Sequence, residues 1–476
     1  MGFFTFEEIR TACGGEFNTN TPDLSSSVEN IVSDSRQETF RGLFIALEGE
    51  RFDGHDFLET ALQNGAVLLL VNRKKKERIP EGAAALLVED TLKAYQDLAL
   101  FHRKRFPDLK LIALTGSYGK TSTKEILKSI FVQAAGEKHV LATEGNFNNQ
   151  IGVPKTLLNL TKDHRYAIVE MGTNHFGEIA PLVRCARPQA SMIVSIGNCH
   201  LEFLRDPDGV AEEKSEIFKV QSVQTAVFPL ETPQRGILER AALHISNIAT
   251  FGKSPRATVR AVYHGGTLDG SKFELIHTPG GKRIMVEWAL SGEHQAVNCA
   301  GAAALALEMG IDLETIGEGV RHVTLPGNRM RRTRHGESFW INDAYNANPD
   351  SMCASLAALA EFADPAGTLL VLGDMGELGK NSLDGHLKVL SCAAALFPES
   401  RIVAIGPKMA QAVLVLETAG KGERNGEKRF LLAGSAEESI PYVRSLVRKG
   451  DLVFLKGSNA MKLFLLEPPD EDGKKV

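Results

Sequence analysis

The feature that most constrains this sequence is an apolar strand that leads through a glycine turn straight into a helix. It is the segment LIALTGSYGKTSTKEIL, residues 111–127. Gly116 and Gly119 allow the backbone to curl so that amide N–H groups point at a phosphate, and the helix start adds the positive end of its dipole. In such loops a lysine meets the β- and γ-phosphates and a hydroxyl holds Mg²⁺, which are roles for Lys120 and Thr121. We therefore predict a nucleotide-binding α/β domain; a plain glycine turn with a surface lysine is the alternative.

The rest of the chain repeats this alternation of strand and helix. From Leu109 onward the alternation predicts parallel sheets covered by helices on both faces. Residues 250–290 break the pattern with glycine-rich, alternating sequence, which predicts antiparallel hairpins at the edge of the middle sheet. After Pro326 the alternation returns and predicts a second α/β domain. The 476 residues suit about three domains. The expected domains are residues 1–107, which form the smallest, 108–326 and 327–476, and the strand–helix alternation makes the last two α/β.

Composition and charge exclude several classes of protein. Lys and Arg number 54 against 59 Asp and Glu, a net charge of −5, which gives no electrostatic reason to expect a nucleic-acid partner. The apolar runs fall far short of the roughly 20 residues of a membrane span, and the amino terminus lacks the basic and apolar pattern of a secretory signal. The six cysteines form no CxxC pair, so we expect buried thiols in a reducing cytoplasm.

Polar residues follow two of the predicted strands. Glu170 ends the strand YAIVE, and His200 comes shortly after the strand SMIVSI. Because ligands of parallel sheets gather at the carboxyl edge, both residues are candidates for a metal site beside the phosphate loop. Taken alone, each is more often a solvated carboxylate or a packed histidine. Lys214 lies in the charged segment GVAEEKSEIF, whose pattern by itself indicates a solvated helical face.

Five further residues stand in polar segments of the second half of the chain. Asn298 lies on a predicted helix, where its spacing is equally consistent with base recognition and with packing. Arg329 stands at the boundary before the third domain, from where a hinge arginine reaches a phosphate. Asp343 ends a predicted strand, and Asn346 and Asn348 follow in a polar loop. Such a loop is a turn by default, and binding is the alternative.

Together these motifs resemble the Mur ligase family of ATP-dependent cell-wall amide synthetases, most closely the members that add D-alanyl-D-alanine to UDP-N-acetylmuramoyl-tripeptide. The resemblance covers nearly the whole chain. Its stretches are SDSRQ (33–37), ALEGERFDGHDF (46–57), TGSYGKTSTKE (115–125), GNFNNQIGVPKTLLNL (145–160), EMGTNHFGEI (170–179), the segment around Lys214, DAYNANPDSM (343–352) and LGDMGELG (372–379). The patterns NFNNxIGVP, DxYNANPxSM and GDMxELG are similar to these members rather than to the family at large.

The resemblance implies a three-domain α/β fold with an amino-terminal domain for the UDP-sugar, a central P-loop ATPase domain with a parallel sheet, and a carboxyl-terminal Rossmann-like domain. The residues implied to bind ATP are Gly116, Ser117, Tyr118, Gly119, Lys120, Thr121, Ser122, Asn298 (adenine), Arg329 (a phosphate) and Asp343 (ribose). The implied Mg²⁺ ligands are Thr121, Glu170, His200 and Lys214 as a carbamate, and the implied catalytic residues are Lys120, Glu170, His200 and Lys214. Carbamylation turns a lysine into an anion suited to Mg²⁺.

The resemblance also implies contacts for two further substrates. Those to the UDP-N-acetylmuramoyl-tripeptide are Ser35, Arg36, Gly49, Asn146, Asn148 and Asn149, and those to D-alanyl-D-alanine are Asn346 and Asn348. The implied reaction forms an acyl phosphate from ATP, then an amide, and releases ADP and phosphate. We expect a cytoplasmic monomer. A sibling ligase that adds a diamino acid or lysine, a folylpolyglutamate-type synthetase and a P-loop kinase or switch are the alternatives.

Overall fold

The computed structural model of the chain describes residues 3–18, 23–49, 52–424 and 427–469. Glu50 and Arg51 of the 46–57 stretch, and the last residues of the predicted third domain, lie outside the described residues. Contacts divide the chain into two compact units. The first comprises the chain up to Leu109 together with Asn146–His164 and Ala180–Arg187, and the second comprises Lys110–Gly145, Arg165–Ile179 and the chain from Pro188 onward.

The first unit is built on a small sheet of five strands. Its order is β2-β7-β6-β5-β4, with every pair parallel except β2 and β7. The elements of this part are β1 (Phe4–Thr5), α1 (Phe6–Cys13), β2 (Glu16–Phe17), β3 (Ser27–Val28), β4 (Asn30–Val32), β5 (Gly42–Ile45), α2 (Leu58–Gln63), β6 (Ala66–Asn72), β7 (Ala85–Val88) and α3 (Thr91–Arg103). The apolar runs of β5, β6 and β7 are buried on both faces, as expected for inner parallel strands.

The next part of the chain supplies the nine-stranded sheet of the second unit. Its elements, with α5 and most of α6 belonging to the first unit, are β8 (Lys110–Thr115), α4 (Lys120–Ala135), β9 (Val140–Ala142), α5 (Gly152–Leu158), β10 (Tyr166–Glu170), α6 (Ile179–Ala186), β11 (Ala190–Ile193), α7 (Leu201–Leu204), α8 (Pro207–Ser215), β12 (Thr225–Pro229), α9 (Arg235–Ala241), β13 (Asn247–Gly252), β14 (Val259–Thr267), β15 (Gly270–His277), β16 (Lys282–Trp288), α10 (Glu293–Glu308) and α11 (Leu313–Arg321).

The order of these nine strands is β16-β15-β14-β13-β12-β11-β8-β10-β9. The strands from β9 to β14 pair in parallel, whereas β14, β15 and β16 pair antiparallel at one edge. The predicted parallel sheet and the predicted hairpins at its edge are both confirmed. Because the chain leaves β8 on one side and returns on the other, β8 lies at the switch point where ligands of such sheets bind. The apolar faces of α4, α10 and α11 pack with this sheet in one continuous core.

Two segments inside this part pack with the first unit through its helix α3. The Gln96 side chain donates to Gln150 Oε1 at 2.6 Å, and His102 Nε2 lies 2.9 Å from the Leu160 carbonyl oxygen. Arg103 Nε donates to the Ala186 carbonyl at 3.2 Å. These contacts explain why residues 146–164 and 180–187 cluster with the amino-terminal sheet. Sequence order alone did not indicate this grouping, and the boundaries at residues 107 and 326 stay predictions.

The final part of the chain builds a six-stranded sheet, also within the second unit. Its order is β17-β18-β24-β19-β20-β23, parallel except for β17 and β18. The elements are β17 (Arg331–His335), β18 (Ser338–Asn342), α12 (Pro349–Ala360), β19 (Thr368–Gly373), α13 (Ser382–Leu396), β20 (Arg401–Ile405), α14 (Pro407–Thr418), β21 (Glu423–Arg424), β22 (Glu427–Lys428), β23 (Phe430–Ala433), α15 (Ala436–Leu446) and β24 (Leu452–Lys456). With three principal sheets and helices packed on them, the predicted three-part α/β fold is confirmed.

The predictions from composition concern cysteines and membrane spans. All six cysteines are free thiols. The expectation that they are buried is confirmed for Cys185, Cys199 and Cys299 and is wrong for Cys13, Cys353 and Cys392, which are only partly buried. Across the residues that the structure describes, no helix has the length and apolar character needed to cross a membrane.

Candidate functional site

The predicted phosphate loop lies between β8 and α4, at the switch point of the nine-stranded sheet. Gly119 has a φ of +77°, in the left-handed region. A Cβ at this position would lie 2.8 Å from Asn298 Oδ1, so the loop needs glycine both for its backbone conformation and for the space. Among the described residues, no side chain caps the start of α4. The first N–H groups of the helix are therefore suited to an anion.

The loop that follows β11 braces the phosphate loop. Ser117 N donates to the Ser195 carbonyl at 3.0 Å, and Tyr118 N donates to Ser195 Oγ at 2.9 Å. The Ser195 hydroxyl in turn donates to the Tyr118 carbonyl at 2.7 Å, and Gly197 N donates to Ser117 Oγ at 2.9 Å. Sequence reasoning missed Ser195. The signal that identifies it is its position directly after a strand that neighbours β8.

The two residues that open α4 have different partners. Lys120 Nζ donates to the Gly116 carbonyl at 2.6 Å, so its ammonium group lies over the phosphate loop itself. Thr121 Oγ1 donates to Glu170 Oε2 at 3.0 Å. Glu170 ends β10 and is almost fully buried, and its backbone N–H donates to Thr143 Oγ1 at 2.9 Å. The structure therefore brings the predicted hydroxyl and the predicted carboxylate together beside the loop.

Arg329 reaches the same place from a segment more than two hundred residues away. Its Nη2 donates to Thr121 Oγ1 at 3.3 Å, and its Nη1 donates to the Pro326 carbonyl at 2.8 Å. The guanidinium carbon lies 3.6 Å from the centre of the Tyr345 ring, a cation–π contact that holds the side chain in place. The expectation that an arginine at this boundary approaches the phosphate loop agrees with this geometry, and Tyr345 is a supporting residue that the sequence analysis did not identify.

Lys214 is fully buried on α8 rather than on a solvated helical face. In the part of the chain that the structure describes, its Nζ has no hydrogen-bond partner. Burial away from water lowers the pKa of this ammonium group from 10.5 to about 8. The charge of Lys120 also lowers this pKa, so Lys214 lies within electrostatic range of the phosphate-loop lysine. A buried amine with no partner fits a group that is chemically modified or that acts on a ligand.

His200 lies at the start of α7 in a left-handed backbone conformation, with a φ of +52°. Its Nδ1 contacts Glu377 Oε2, which lies in the loop after β19 of the six-stranded sheet. Burial lowers the pKa of the His200 ring. The Glu377 carboxylate opposes this shift, whereas the charges of Lys214 and Lys120 add to it. His200 therefore belongs to the same electrostatic neighbourhood as the two lysines. Sequence reasoning did not identify Glu377 as its partner.

Asn298 and Asp343 have well-defined surroundings. The Asn298 side chain lies against Gly119, and its Nδ2 donates to Gln295 Oε1 at 3.3 Å. Asp343 is buried after β18, where its Oδ2 pairs with Lys456 Nζ at 2.5 Å. Its two carboxylate oxygens also accept hydrogen bonds from Met330 N and the Ser355 hydroxyl. Asn298 therefore borders the phosphate loop, whereas Asp343 is bound within its own sheet, and the predicted ribose contact stays a prediction.

The loop after β18 holds the two asparagines predicted for the dipeptide. Asn348 caps α12: its Oδ1 accepts from Ser351 N at 2.8 Å, in a reciprocal capping box. Asn346 Oδ1 accepts from Ala347 N at 2.9 Å. These local bonds match the default interpretation of the loop as a turn, and dipeptide binding stays a prediction.

The predicted UDP-substrate residues all belong to the first unit. The Ser35 carbonyl accepts from Asn64 Nδ2 at 2.7 Å, and the exposed Arg36 guanidinium pairs with Asp34 at 2.7 Å. Gly49 is exposed in the segment that follows β5. The first unit therefore leaves Arg36 and Gly49 accessible to a ligand.

The remaining three members of that set form the turn before α5. Asn148 N donates to the Asn146 carbonyl at 2.7 Å. Asn149 Oδ1 accepts from Gly152 N at 2.9 Å and so satisfies an N–H group at the start of α5. Asn146 and Asn149 are exposed. The structure therefore gives Asn149 a structural contact, and ligand binding by this turn stays a prediction.

Comparison with known families and proteins adds to this geometry. Three family models match the chain: "Mur ligase family, catalytic domain" over residues 27–103, "Mur ligase middle domain" over residues 114–306, and "Mur ligase, glutamate ligase domain" over residues 328–459. The chain is 34% identical over 455 residues to the UDP-N-acetylmuramoyl-tripeptide–D-alanyl-D-alanine ligase of Treponema pallidum (strain Nichols), covering 92% of this chain and 93% of that protein.

Two solved structures are similar over most of their length. MurF from Acinetobacter baumannii superposes with a TM-score of 0.86 at 32% identity, with 97% of each chain covered. MurF ligase from Thermotoga maritima, solved in complex with ADP, has a TM-score of 0.77 at 25% identity, with 92% of this chain and 96% of that chain covered. The similarity therefore extends well beyond the phosphate loop.

Proposed function

The chain belongs to the Mur ligase family, and we propose that it joins D-alanyl-D-alanine to UDP-N-acetylmuramoyl-tripeptide in an ATP-dependent reaction. One observation carries this proposal: the relative with that printed name is similar over more than nine-tenths of both chains. A match confined to the nucleotide site would support ATP use alone. The enzyme is then a ligase of peptidoglycan precursor synthesis, which forms an amide and releases ADP and phosphate.

We propose that the phosphate loop and the first turn of α4 bind the phosphates of ATP. The residues in this role are Gly116, Ser117, Tyr118, Gly119, Lys120, Thr121 and Ser122. The uncapped N–H groups of α4 support this assignment. Lys120 Nζ, which bonds to the Gly116 carbonyl, exchanges this partner for a phosphate oxygen when nucleotide binds. Asn298, beside Gly119, is the proposed adenine contact, and Asp343 the proposed ribose contact.

The donor set beside the loop fits a magnesium ion. Mg²⁺ prefers oxygen ligands and is usually held by one or two carboxylates together with substrate phosphates. The Thr121 hydroxyl and the Glu170 carboxylate lie 3.0 Å apart next to the phosphate loop, and Glu170 is buried and therefore fixed. We assign these two residues as ligands, with His200 and modified Lys214 as the further members. When bound, the ion would neutralise charge on the transferring phosphoryl group.

We propose that Lys214 is carbamylated. The amine that attacks carbon dioxide must be neutral, and burial favours the neutral form of this group. The new N–C bond forms as the nitrogen loses a proton, which leaves an anionic carbamate where Nζ has no partner among the described residues. The resulting oxygens suit a divalent cation.

Isotope labelling tests the carbamate. Protein equilibrated with ¹³C-bicarbonate should give a carbamate ¹³C signal that is absent from Lys214→Met. Lys124→Met is the matched control, because Lys124 is also buried but its Nζ donates to the Thr143 carbonyl at 2.7 Å. A carbamate signal that persists in Lys214→Met, or that never forms in the wild type, would contradict the assignment.

The reaction begins with transfer of the γ-phosphoryl group from ATP to the terminal carboxylate of the tripeptide. Catalysis of phosphoryl transfer depends on positioning and on positive charge around the transferring group. Lys120 and Arg329 supply that charge, since both side chains lie at the phosphate loop. The amine of D-alanyl-D-alanine then attacks the carbonyl carbon of the acyl phosphate and gives up a proton. The C–O bond to phosphate breaks, and the amide and inorganic phosphate are released. Exclusion of water protects the acyl phosphate until the amine attacks.

The remaining assignments follow from the same family membership. We propose that Ser35, Arg36, Gly49, Asn146, Asn148 and Asn149 contact the UDP-substrate and that Asn346 and Asn348 contact the dipeptide. The exposure of Arg36 and Asn146 supports their access to a ligand. We further propose that the enzyme works as a monomer in the cytoplasm, where UDP-linked precursors are made.

Phosphate release tests the function directly. The protein is incubated with MgATP and UDP-N-acetylmuramoyl-tripeptide, with or without D-alanyl-D-alanine, and with free lysine or diaminopimelate as control amines. We expect release that requires the dipeptide and a product heavier by the dipeptide less water. Lys120→Met should abolish release, whereas Lys110→Met, which changes an exposed lysine on β8, should not. In a parallel incubation with a shorter UDP-linked peptide precursor, release that requires a single amino acid would move the chain to the preceding ligase step.

A further inference from the structure

The GDMGELG segment, residues 373–379, is a sequence motif to which the proposed reaction assigns no role. It follows β19 and is fixed at both ends. The Asp374 carboxylate accepts hydrogen bonds from the backbone N–H groups of Lys408 and Met409 at 3.1 and 2.7 Å. Met375 and Leu378 are buried in the core of the six-stranded sheet. The motif is therefore a rigid loop rather than a free turn.

A buried histidine fixes this loop further. His386 Nδ1 donates to the Ser382 carbonyl at 2.6 Å, which leaves His386 Nε2 as the acceptor for Met375 N at 3.0 Å. Both ring nitrogens are used, so the ring clamps the backbone of the loop to α13. The consequence is that the residues between Met375 and Leu378 project from a fixed base.

Glu377 lies at the tip of this loop and contacts His200 Nδ1. Both residues have left-handed backbones, with φ values of +59° and +52°. Such backbone conformations are unfavourable for residues other than glycine and concentrate at functional sites. The loop also approaches α7 very closely, since a Cβ on Gly379 would lie 3.0 Å from Glu202 Cα. The carboxylate is therefore held against the imidazole by the backbones on both sides.

The contact fixes which nitrogen of the imidazole has the hydrogen. A carboxylate accepts but does not donate, so a neutral ring must present Nδ1–H to Glu377, and Nε2 retains its lone pair. Histidines that act at metal and phosphate sites are commonly oriented in this way by a carboxylate on the other nitrogen. As a simple ion pair, the half-exposed Glu377 would contribute little to stability. Its specific effect is to decide which nitrogen of the His200 ring has the hydrogen.

We propose that Glu377 is a positioning residue for the ligase reaction. It holds His200 in the Nδ1–H form and thereby leaves the Nε2 lone pair available to the nucleotide site. This inference rests on the proposed function. Glu377 follows β19 of the six-stranded sheet, and His200 follows β11 of the nine-stranded sheet. The His200 ring is therefore held in this form only when the GDMGELG loop is docked on α7. Docking of the carboxyl-terminal sheet and readiness of the phosphate site are thereby coupled.

Nitrogen NMR of the ligand-free protein tests the positioning. The protein has 13 histidines, and the His200 ring signals of ¹⁵N-labelled full-length chain are identified by their loss in His200→Gln. At about pH 8, above the ordinary histidine pKa, the wild type should show the Nδ1–H form of His200. Glu377→Ala should shift the ring to the Nε2–H form, which neutral imidazole otherwise favours. Glu377→Gln, whose amide oxygen still accepts, should retain Nδ1–H.

Kinetics provide the second measurement. Glu377→Ala should lower kcat about tenfold or more while the KM for MgATP stays within about twofold, and Glu377→Gln should recover most of the loss. Glu202→Gln is the matched control, because it removes an exposed carboxylate two residues from His200, and should change neither kcat nor the spectrum. An Nδ1–H signal that survives in Glu377→Ala, or an unchanged kcat, overturns the proposal. A wild type that forms no amide overturns the proposed function instead, and the spectra still decide whether Glu377 sets the ring.

Discussion

Replacing Lys214 by methionine should make the folded protein more stable while it removes ligase activity. The ammonium group is fully buried and has no hydrogen-bond partner among the described residues. Such a group is costly to hold in the folded state, and an apolar side chain of similar size is often better tolerated there. A residue that lowers stability and is nevertheless required for activity has a functional rather than a structural role.

The size of the effect follows from the pKa of Lys214. Burial lowers this pKa from 10.5 to about 8. By linkage, that difference corresponds to about 3 kcal/mol of unfolding free energy. Below about pH 8 the lysine is protonated in both the folded and the unfolded chain, so methionine has its full advantage. As the pH rises from about 8 to 10.5 only the folded chain sheds the proton, and the part of the advantage that comes from the buried charge is lost.

Chemical unfolding of both proteins in CO₂-free buffer measures this difference. The chain has two tryptophans, Trp288 and Trp340, and both lie in the second unit together with Lys214, so their fluorescence reports on the relevant part. Lys124→Met is the control. Lys124 Nζ donates to the Thr143 carbonyl and pairs with Glu125 at 2.6 Å, so its loss should destabilise the fold.

Two results would refute the reasoning about Lys214. One is a methionine variant that is less stable than the wild type at pH 7, which would mean that the amine has a stabilising partner. The other is a stability difference that stays constant from pH 7 to 11, because it should shrink by about 3 kcal/mol as the folded chain deprotonates. Added bicarbonate should stabilise the wild type but not Lys214→Met, since only the wild type can form the carbamate.

Three further predictions concern the phosphate loop and the first unit. Gly119→Ala should abolish ATP binding in calorimetry, because the new Cβ meets Asn298. Gly310→Ala is the control and should bind ATP normally, because Gly310 has a φ of +88° but open space around it. Equal affinities of the two variants would contradict this account. Ser195→Ala should weaken ATP binding about thirtyfold, since it removes two hydrogen bonds of about 1 kcal/mol each that hold the loop. An unchanged dissociation constant would exclude the brace. Burial lowers the pKa of His102 from 6.5 to about 4, so between these pH values only the unfolded chain binds the proton. The free energy of unfolding should therefore fall as the pH drops from 6.5 to 4, and it should fall less in His102→Gln. The same pH dependence in both proteins would contradict this account.

Much of the site could be predicted because its signals are local. The strand, glycine turn and helix at residues 111–127 fix a phosphate loop through backbone conformation alone, and the structure places it at the end of β8. Glu170 was accessible to the same reasoning, since a polar residue at the end of a parallel strand must lie at the carboxyl edge of the sheet. The antiparallel hairpins of residues 250–290 were readable from alternation and glycine.

Other features depend on packing between distant segments and have no local signal. The burial of Lys214 reverses what its charged segment indicates, because α8 turns that residue away from water. The capture of Asp343 by Lys456 joins residues more than one hundred positions apart. For Ser195, the place after β11 is readable from the sequence, but its hydrogen bonds with Tyr118 form only because β11 pairs with β8.

The sequence by itself determined the class of fold, the order of its three sheets and the place of the phosphate loop, since periodicity and turn chemistry act over a few residues. Only the tertiary structure decided which side chains meet there. Arg329 reaches Thr121 and Glu377 reaches His200 because separate sheets pack within one unit. Residues 146–164 belong to the amino-terminal unit because they bond to helix α3, which is far from them in the sequence. Contacts across such separations follow from the packing of whole elements, which no short stretch of sequence encodes.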